Sequence, residues 1–261
     1  MREKIIETIT TSLQPLDFAL ALWQGGSAAS GYTDQWSDID IHVIVQDNSV
    51  EETFDIVETS LKMISNISFK YRIPEHTWHG HSQCFYQLAA ASPFLAIDFV
   101  VMKLSNPHRF LEVERHGKGV IGFDKGNFLL SPAFNRNEHF SKMQDRFEHL
   151  KKTFGFMQIF VKKEIYRQHF VEAVAGYHNY TLNPLVEILG MAYRPYKYDY
   201  KSRYISRDFP PDVVTKLESL FCIVDIDELR EKQQLAELLF AQTLTCVEMC
   251  FARSLDLIHP E

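Results

Sequence analysis

The sequence has few cysteines and no pattern among them. Cys84, Cys222, Cys246 and Cys250 are the four in 261 residues, and their spacing matches no zinc motif. Cys246 and Cys250 stand four apart on an apparent helix, without a partnering His or Cys pair. The expectation is reduced cysteines in the core of a cytoplasmic protein. There is no long hydrophobic run: none approaches the roughly 20 residues that span a bilayer. The opening Met1-Arg2-Glu3-Lys4-Ile5-Ile6-Glu7 has no apolar signal core. No membrane partner is expected. Positive charge is not in excess either. Lys and Arg number 27 against 34 Asp and Glu, a formal net charge of −7. A generic nucleic-acid binder is usually basic, so nucleic acid is not the expected partner. Small anionic ligands stay open, because a bound metal reverses local charge. There is no internal repeat and no low-complexity segment.

What is present is ordinary in bulk: 46% apolar and 23% charged residues, the values of a globular protein. Phe (20) and Tyr (11) are plentiful, enough for filled cores and aromatic pocket walls. The rhythm changes along the chain. Ile5, Ile6, Ile9 and Leu13 fit one face of an opening helix that Pro15 ends. Residues 18–23 read as a short buried strand, broken by Gly25-Gly26-Ser27. Residues 38–45 alternate as a strand with a polar face at its start. A helix is expected over 51–64 and a strand over 68–73. Residues 84–91 and 95–103 suggest a hairpin. Gly117, Gly119, Gly122 and Gly126 read as a link between halves. Beyond it the chain is mostly helical: over 140–180, with breaks near Gly155 and Gly176, from Asn183, over 213–220, and over 228–257. Residues 193–211 are irregular. The expected fold class is α+β: a mixed β-sheet flanked by helices over residues 1–126, then an all-α helical bundle over 127–261.

The sharpest feature is Gly25-Gly26-Ser27 followed by Asp38-Ile39-Asp40. Glycines after a strand let backbone N–H groups approach and cradle an anion, and the Ser27 hydroxyl can donate to phosphate. Asp38 and Asp40 stand at i and i+2, so a strand puts both carboxylates on one face, roughly 7 Å apart at about 3.3 Å per residue. Two such carboxylates repel unless solvated at a strand end or bridged by a cation. Magnesium suits hard oxygen ligands. A third acid, Asp98, lies in the apolar run Leu95-Ala96-Ile97-Asp98-Phe99-Val100-Val101, where a carboxylate needs a partner. A metal is one candidate; Lys103 or Arg72 is the other. If its strand lies beside the Asp38–Asp40 strand, three acids converge as in a two-metal site for phosphoryl or nucleotidyl transfer.

Gly26-Ser27 with Ser37-Asp38-Ile39-Asp40-Ile41 resembles the signature of the DNA-polymerase-beta-like nucleotidyltransferase superfamily, and Asp98 falls where that family places its third acid. Gly122-Phe123-Asp124-Lys125-Gly126 resembles the turn that closes such domains. Within the superfamily the chain looks most like the aminoglycoside and lincosamide adenylyltransferases, which add a helical C-terminal domain. Residues 194–204, followed by Asp208-Phe209-Pro210-Pro211, are loosely similar to a segment of that domain. The resemblance implies that Gly26, Ser27 and Ser37 hold the nucleotide. It implies that Asp38, Asp40 and Asp98 bind two magnesium ions, with Asp98 also available as general base. The expected donor is ATP and the expected acceptor a small hydroxylated molecule; a homodimer is compatible with it. Lys197 and Lys201 are candidates for the terminal phosphates, with solvated or ion-paired side chains as the alternative, and Tyr196 and Tyr198 for stacking.

Other features remain. His76, His79 and His81 read better as an acceptor-binding loop than as a metal site. Trp36 is a pocket wall or a loop anchor. Glu164, Arg167 and His169 read as a solvated helix face. Two rival functions stay open: a nucleotidyltransferase acting on a protein or RNA, as in toxin–antitoxin pairs, and a non-catalytic nucleotide-binding module.

Overall fold

Ile39, Ile41 and Val43 are buried, while Asp40 and His42 between them are only partly so. That is the alternation of a strand whose two faces meet different surroundings, and it organises the first half of the chain. The computed structural model describes residues 1–258, and the chain divides into two compact units between Phe134 and Asn135.

The first unit contains α1 (Arg2–Leu13), β1 (Ala19–Gln24), α2 (Gly26–Ser30), β2 (Ile39–Val45) and α3 (Val50–Ile64). It continues with β3 (Ile67–Arg72), β4 (Ser82–Leu88), β5 (Ile97–Lys103), α4 (Val113–His116) and β6 (Val120–Asp124). The strands form a mixed sheet in the order β3-β4-β5-β2-β1-β6. β2 and β5 run parallel; the other neighbours are antiparallel. The expected hairpin is β4–β5.

The two faces of the sheet are filled differently. Ile5, Ile9 and Leu13 of α1 and Phe54, Val57 and Leu61 of α3 share a core with Ile39, Ile41, Ile97 and Phe99. Each fully buried aliphatic or aromatic side chain there contributes about 1.5–3 kcal/mol, so this face carries most of the unit's apolar burial. The opposite face holds a smaller cluster of Ala21, Trp23, Ile44, Val100 and Met102, edged by Phe110, Leu111, Phe128 and Leu129. By alternation Asp40, His42 and Asp98 project on this second, thinly covered face.

The glycine-spaced stretch is not a link between halves. Residues 120–124 form β6, an edge strand paired with β1. Gly122 is there because a Cβ would stand 2.7 Å from Leu22 Cδ2; close backbone approach, not looseness, selects it. The following turn closes on Asp124, whose carboxylate accepts the backbone N–H groups of Gly126, Phe128 and Leu129 at 3.3, 2.9 and 3.0 Å.

Among its described residues the second unit contains helices and no strand: α5 (Arg136–Tyr166), α6 (Phe170–Tyr177), α7 (Asn183–Tyr193), α8 (Ile205–Asp208), α9 (Pro211–Phe221) and α10 (Ile226–Ile258), with residues 198–204 irregular as expected. Asn135 caps α5 by accepting the Glu138 N–H. The expected break at Gly155 does not occur. Seven buried positions from Met143 to Ile165 hold α5 continuous, enough to outweigh the ~1 kcal/mol cost of one glycine. α5 ends instead at Tyr166, two residues before Gln168, whose φ is +60°. Near Gly176 the chain passes into a π-helical turn over 178–182. There the Gln158 amide donates to the Tyr180 carbonyl (2.8 Å) and accepts from the Thr181 hydroxyl (2.6 Å). This satisfies a backbone group that the wider turn leaves unpaired.

The cysteine expectation is corrected. Cys84 is buried, but Cys222, Cys246 and Cys250 are exposed, and all four are free. Among the described residues no helix is long and apolar enough to cross a membrane.

Candidate active site

The turn after β1 is tied to β2 by its backbone. Gly25 N–H donates to the Asp40 carbonyl at 3.0 Å. Gly26 has φ +53°, and a Cβ built there would lie 1.9 Å from Asp40 Oδ2. Glycine is therefore required twice, for its left-handed backbone and for the carboxylate lying against it. Gly26 also opens α2, and the hydroxyl of the next residue, Ser27, is buried without a hydrogen-bond partner. A buried hydroxyl without a partner costs about 1–3 kcal/mol, a cost that a ligand oxygen or a water bound at this turn would remove.

Asp38 stands just before β2, exposed, on a loop with its own internal order. The Ser37 hydroxyl donates to Asp34 Oδ1 (2.8 Å) and accepts the Asp34 N–H (2.9 Å), and Asp34 also takes the Trp36 N–H (2.9 Å). The Ser37 hydroxyl bond holds the Asp34 carboxyl below its ordinary range, with help from the Trp36 N–H. Expected at the nucleotide, the Ser37 hydroxyl is engaged in its own turn. Arg2 of α1 clamps the same loop. Its guanidinium donates to the carbonyls of Ser37 and of Asp38, the latter at 3.0 Å.

Asp40 and Asp98 are register partners on the parallel pair β2–β5, about 4.8 Å apart at the backbone. The adjacency on which convergence of the acids depended is present. Burial raises the Asp40 pKa, and the Asp38 charge adds to it, with Arg2 opposing. Asp98 is raised to about 6, first by burial; the Gln83 hydrogen bond opposes, and the charges of Asp40 and Asp38 push further up. The rival account of Asp98, an ion pair with Arg72 or Lys103, is not what forms. Arg72 binds Glu51 (3.0 Å) and Glu75 (3.5 Å) and lies over the Phe54 ring, while Lys103 ends β5 exposed. The partner of Asp98 is an amide: Gln83 Nε2 donates to Asp98 Oδ1 at 2.7 Å.

Among the described residues no three His, Cys, Asp or Glu side chains are gathered to hold a metal ion as they stand. The donor set still fits magnesium. That ion prefers hard carboxylate oxygens, binds through one or two of them, and completes its shell with water and substrate phosphate. Two raised carboxylates in register are the protein's part of such a site.

The histidines pack beside the acids. His42 stacks on Trp23 with centroids 5.1 Å apart. Burial pulls its pKa down to about 3, with smaller contributions from His116, His81 and His79. His79 and His81 stack at 5.2 Å and both meet the Phe110 ring. His81 is 1% exposed, and burial lowers it to about 4. Trp36, expected as a wall or an anchor, is exposed and meets Phe94 edge-on at 5.1 Å.

Lys197, Lys201, Tyr196 and Tyr198 belong to the second unit. Arg194, 6% exposed, organises their segment by donating to the carbonyls of Lys201 and Arg203. Tyr198 is buried, a packing residue of its own unit. Glu164, Arg167 and His169 form a surface ion-paired group at the end of α5.

Sequence reasoning missed Gln83, Arg2 and His42. Only His42 left a signal, as the next polar position on the Asp38–Asp40 face.

No family model matches the chain, and no curated protein does. Among solved structures, an aminoglycoside 6-adenyltransferase from Bacillus subtilis aligns over 96% of this chain and 91% of its own, at 13% identity and a TM-score of 0.41. A spectinomycin adenyltransferase from Enterococcus faecialis, crystallised with ATP and spectinomycin, aligns over 93% and 88%, at 12% identity and a TM-score of 0.35. At these values the reading of the site rests on its own geometry.

Proposed function

We propose that the protein is a magnesium-dependent nucleotidyltransferase. On this reading it moves a nucleoside monophosphate, AMP from ATP, to a hydroxyl of a small molecule of the aminoglycoside or lincosamide kind. The observation that carries the reading is the meeting of three features on one sheet face: Asp40 in register with Asp98, Gly26 moulded against the Asp40 carboxylate, and the unpartnered Ser27 hydroxyl. Backbone N–H groups at Gly26 and the Ser27 hydroxyl bind phosphate oxygens. Asp40 and Asp98, with Asp38 from its loop, would hold a magnesium ion, which would supply positive charge against the phosphates of the nucleotide.

The chain's own residues do the rest. Arg2 fixes the Ser37–Asp38 backbone, so that Asp38 is presented without a search. Gly26 holds the phosphate end of the nucleotide against Asp40. Asp98, with a pKa of about 6, is ionised at neutral pH yet close enough to it to accept the proton of an attacking hydroxyl. Catalysis here is positioning and electrostatics rather than covalent chemistry.

The test is a pyrophosphate-release screen with ATP and magnesium over a panel of hydroxylated small molecules, with Asp40→Ala as control. The expected result is release that requires both an acceptor and the metal and is lost in the variant. Absence of nucleotide binding under every divalent metal would overturn the proposal.

A further inference from the structure

The groups behind Asp98 form a hydrogen-bonded chain whose direction is set at one end by a donor that cannot reverse. His81 backbone N–H donates to His79 Nδ1 at 3.1 Å. A backbone amide only donates, so Nδ1 carries a lone pair and the neutral ring carries its proton on Nε2. Thr77 also lies 3.2 Å from Nδ1, but its hydroxyl gives its proton to the His81 carbonyl at 2.6 Å and does not compete. His79 Nε2 is 3.3 Å from Gln83 Oε1. With the proton on Nε2, that contact is a donation to the amide oxygen, and it decides which way the Gln83 amide faces. The NH₂ group then points to Asp98 Oδ1, at 2.7 Å.

The ring that sets this direction is held on several sides. His81 stacks on it, Trp78 and Phe110 meet it edge-on at 5.1 and 5.8 Å, and Asn106 Nδ2 donates to the His79 carbonyl at 3.3 Å. A histidine kept only for packing would need none of this directional order.

We infer that Gln83 and His79 are positioning residues for Asp98. The relay from the His81 amide through His79 and Gln83 binds one carboxylate oxygen and leaves the other for the incoming hydroxyl proton or the cation. Without the His79 donor, the Gln83 amide is free to flip and set its oxygen against a carboxylate. With it, the amide N–H stays on Asp98 Oδ1. The role assigned to Asp98 rests on the proposed function; the relay does not.

The experiment separates the two. In the full-length, metal-free protein labelled with 13C at aspartate carboxyls, the Asp98 signal is titrated by NMR. A hydrogen bond to a charged group is worth about 1–2 pH units on this scale. Gln83→Leu should raise the Asp98 pKa by about that much. Gln83→Glu, nearly isosteric, should raise it further by placing a second acid there. His79→Leu should raise it in the same direction, whereas His79→Gln, whose amide nitrogen can replace Nε2, should return it toward wild type. An unchanged Asp98 titration in both Gln83 variants overturns the inference, as does a His79→Gln that behaves like His79→Leu. If these shifts appear but no acceptor supports pyrophosphate release, the relay stands and the proposed function falls. If transfer is found, the acid limb of its kcat profile should move to higher pH by the same amount in Gln83→Leu, with little change in KM for ATP. A loss spread equally over all pH values would mark Gln83 as merely structural.

Discussion

Asp40 and Asp98 stand opposite each other in register on the parallel strands β2 and β5, two buried-side carboxylates with no lysine or arginine between them. Arg2 acts on Asp40 from the loop side only, and the partner of Asp98 is a neutral amide. A fold does not keep such a pair for stability, because each acid pays for burial and for the other's charge. On the proposed function the pair is half of a cation site whose other half arrives with the substrate.

Gly26 gives the first prediction. Alanine there would need a left-handed backbone, about 1–2 kcal/mol, and would drive its Cβ into Asp40 Oδ2. On the proposed function millimolar magnesium with ATP should raise the Tm of the wild-type protein; Gly26→Ala should fold, melt lower than wild type, and lose that rise. Thermal melting with and without metal checks this. A full magnesium–ATP response in Gly26→Ala would show that the Gly26–Asp40 contact is incidental.

Ser27 gives the second, in which stability and binding move in opposite directions. Its hydroxyl is buried without a partner, so Ser27→Ala removes a desolvation cost and should leave the free protein as stable or up to about 1 kcal/mol more stable. The same change should weaken ATP binding roughly 5- to 10-fold, the worth of one hydrogen bond to a charged oxygen. Calorimetry of binding and of unfolding on one sample pair decides it. A Ser27→Ala protein that is less stable and binds ATP unchanged would contradict the phosphate role.

Parts of this site were legible in the sequence because they are local. The period-two spacing of Asp38 and Asp40 and the glycines before them need only neighbouring residues to interpret, and Asp98 stood out as an acid in an apolar run. The strand pairing that sets Asp98 beside Asp40 follows from the order of the sheet, which local periodicity leaves open. Gln83 was illegible for the same reason. It reaches Asp98 only because β4 and β5 pair with Gln83 opposite Val100, two residues along β5 from Asp98, which makes the two a diagonal pair on one face. Arg2 lies on a helix whose apolar face was plain but whose partner loop is 35 residues away in sequence. The glycines around β6 misled, since close packing and flexibility call for the same residue.

The third prediction concerns pH. The Asp98 carboxyl has an ordinary value of 3.8 and stands near 6 in the folded protein, so the folded state binds this proton more tightly than the unfolded one. Below about pH 4 both states hold the proton and Asp98 costs nothing. As pH rises to about 6 the folded state must ionise a buried group, and stability falls. Asp98→Asn escapes that fall. It should match wild type near pH 4 and exceed it by about 1–2 kcal/mol above pH 6, after allowance for the partial exposure of the site, while transfer activity is lost. Urea denaturation at several pH values measures the difference. A variant less stable than wild type at pH 7 would show that the Asp98 charge is structural.

Arg2 supplies the last. Its guanidinium reaches two carbonyls at once, those of Ser37 and Asp38, and its charge lowers the Asp40 pKa. Lysine can replace the charge but not the two-pronged clamp, so two substitutions separate the roles. Arg2→Lys should keep the pH dependence of transfer while lowering kcat by roughly 3- to 10-fold, the effect of losing about 1 kcal/mol of positioning. Arg2→Ala should lower kcat at least as far and also move the acid limb of the profile upward, because Asp40 then ionises with less help. Steady-state rates from pH 5.5 to 8.5 distinguish the cases. If both variants keep wild-type rates, the loop that carries Asp38 holds itself through the Asp34–Ser37 turn alone, and the helix-to-loop clamp has no part in catalysis.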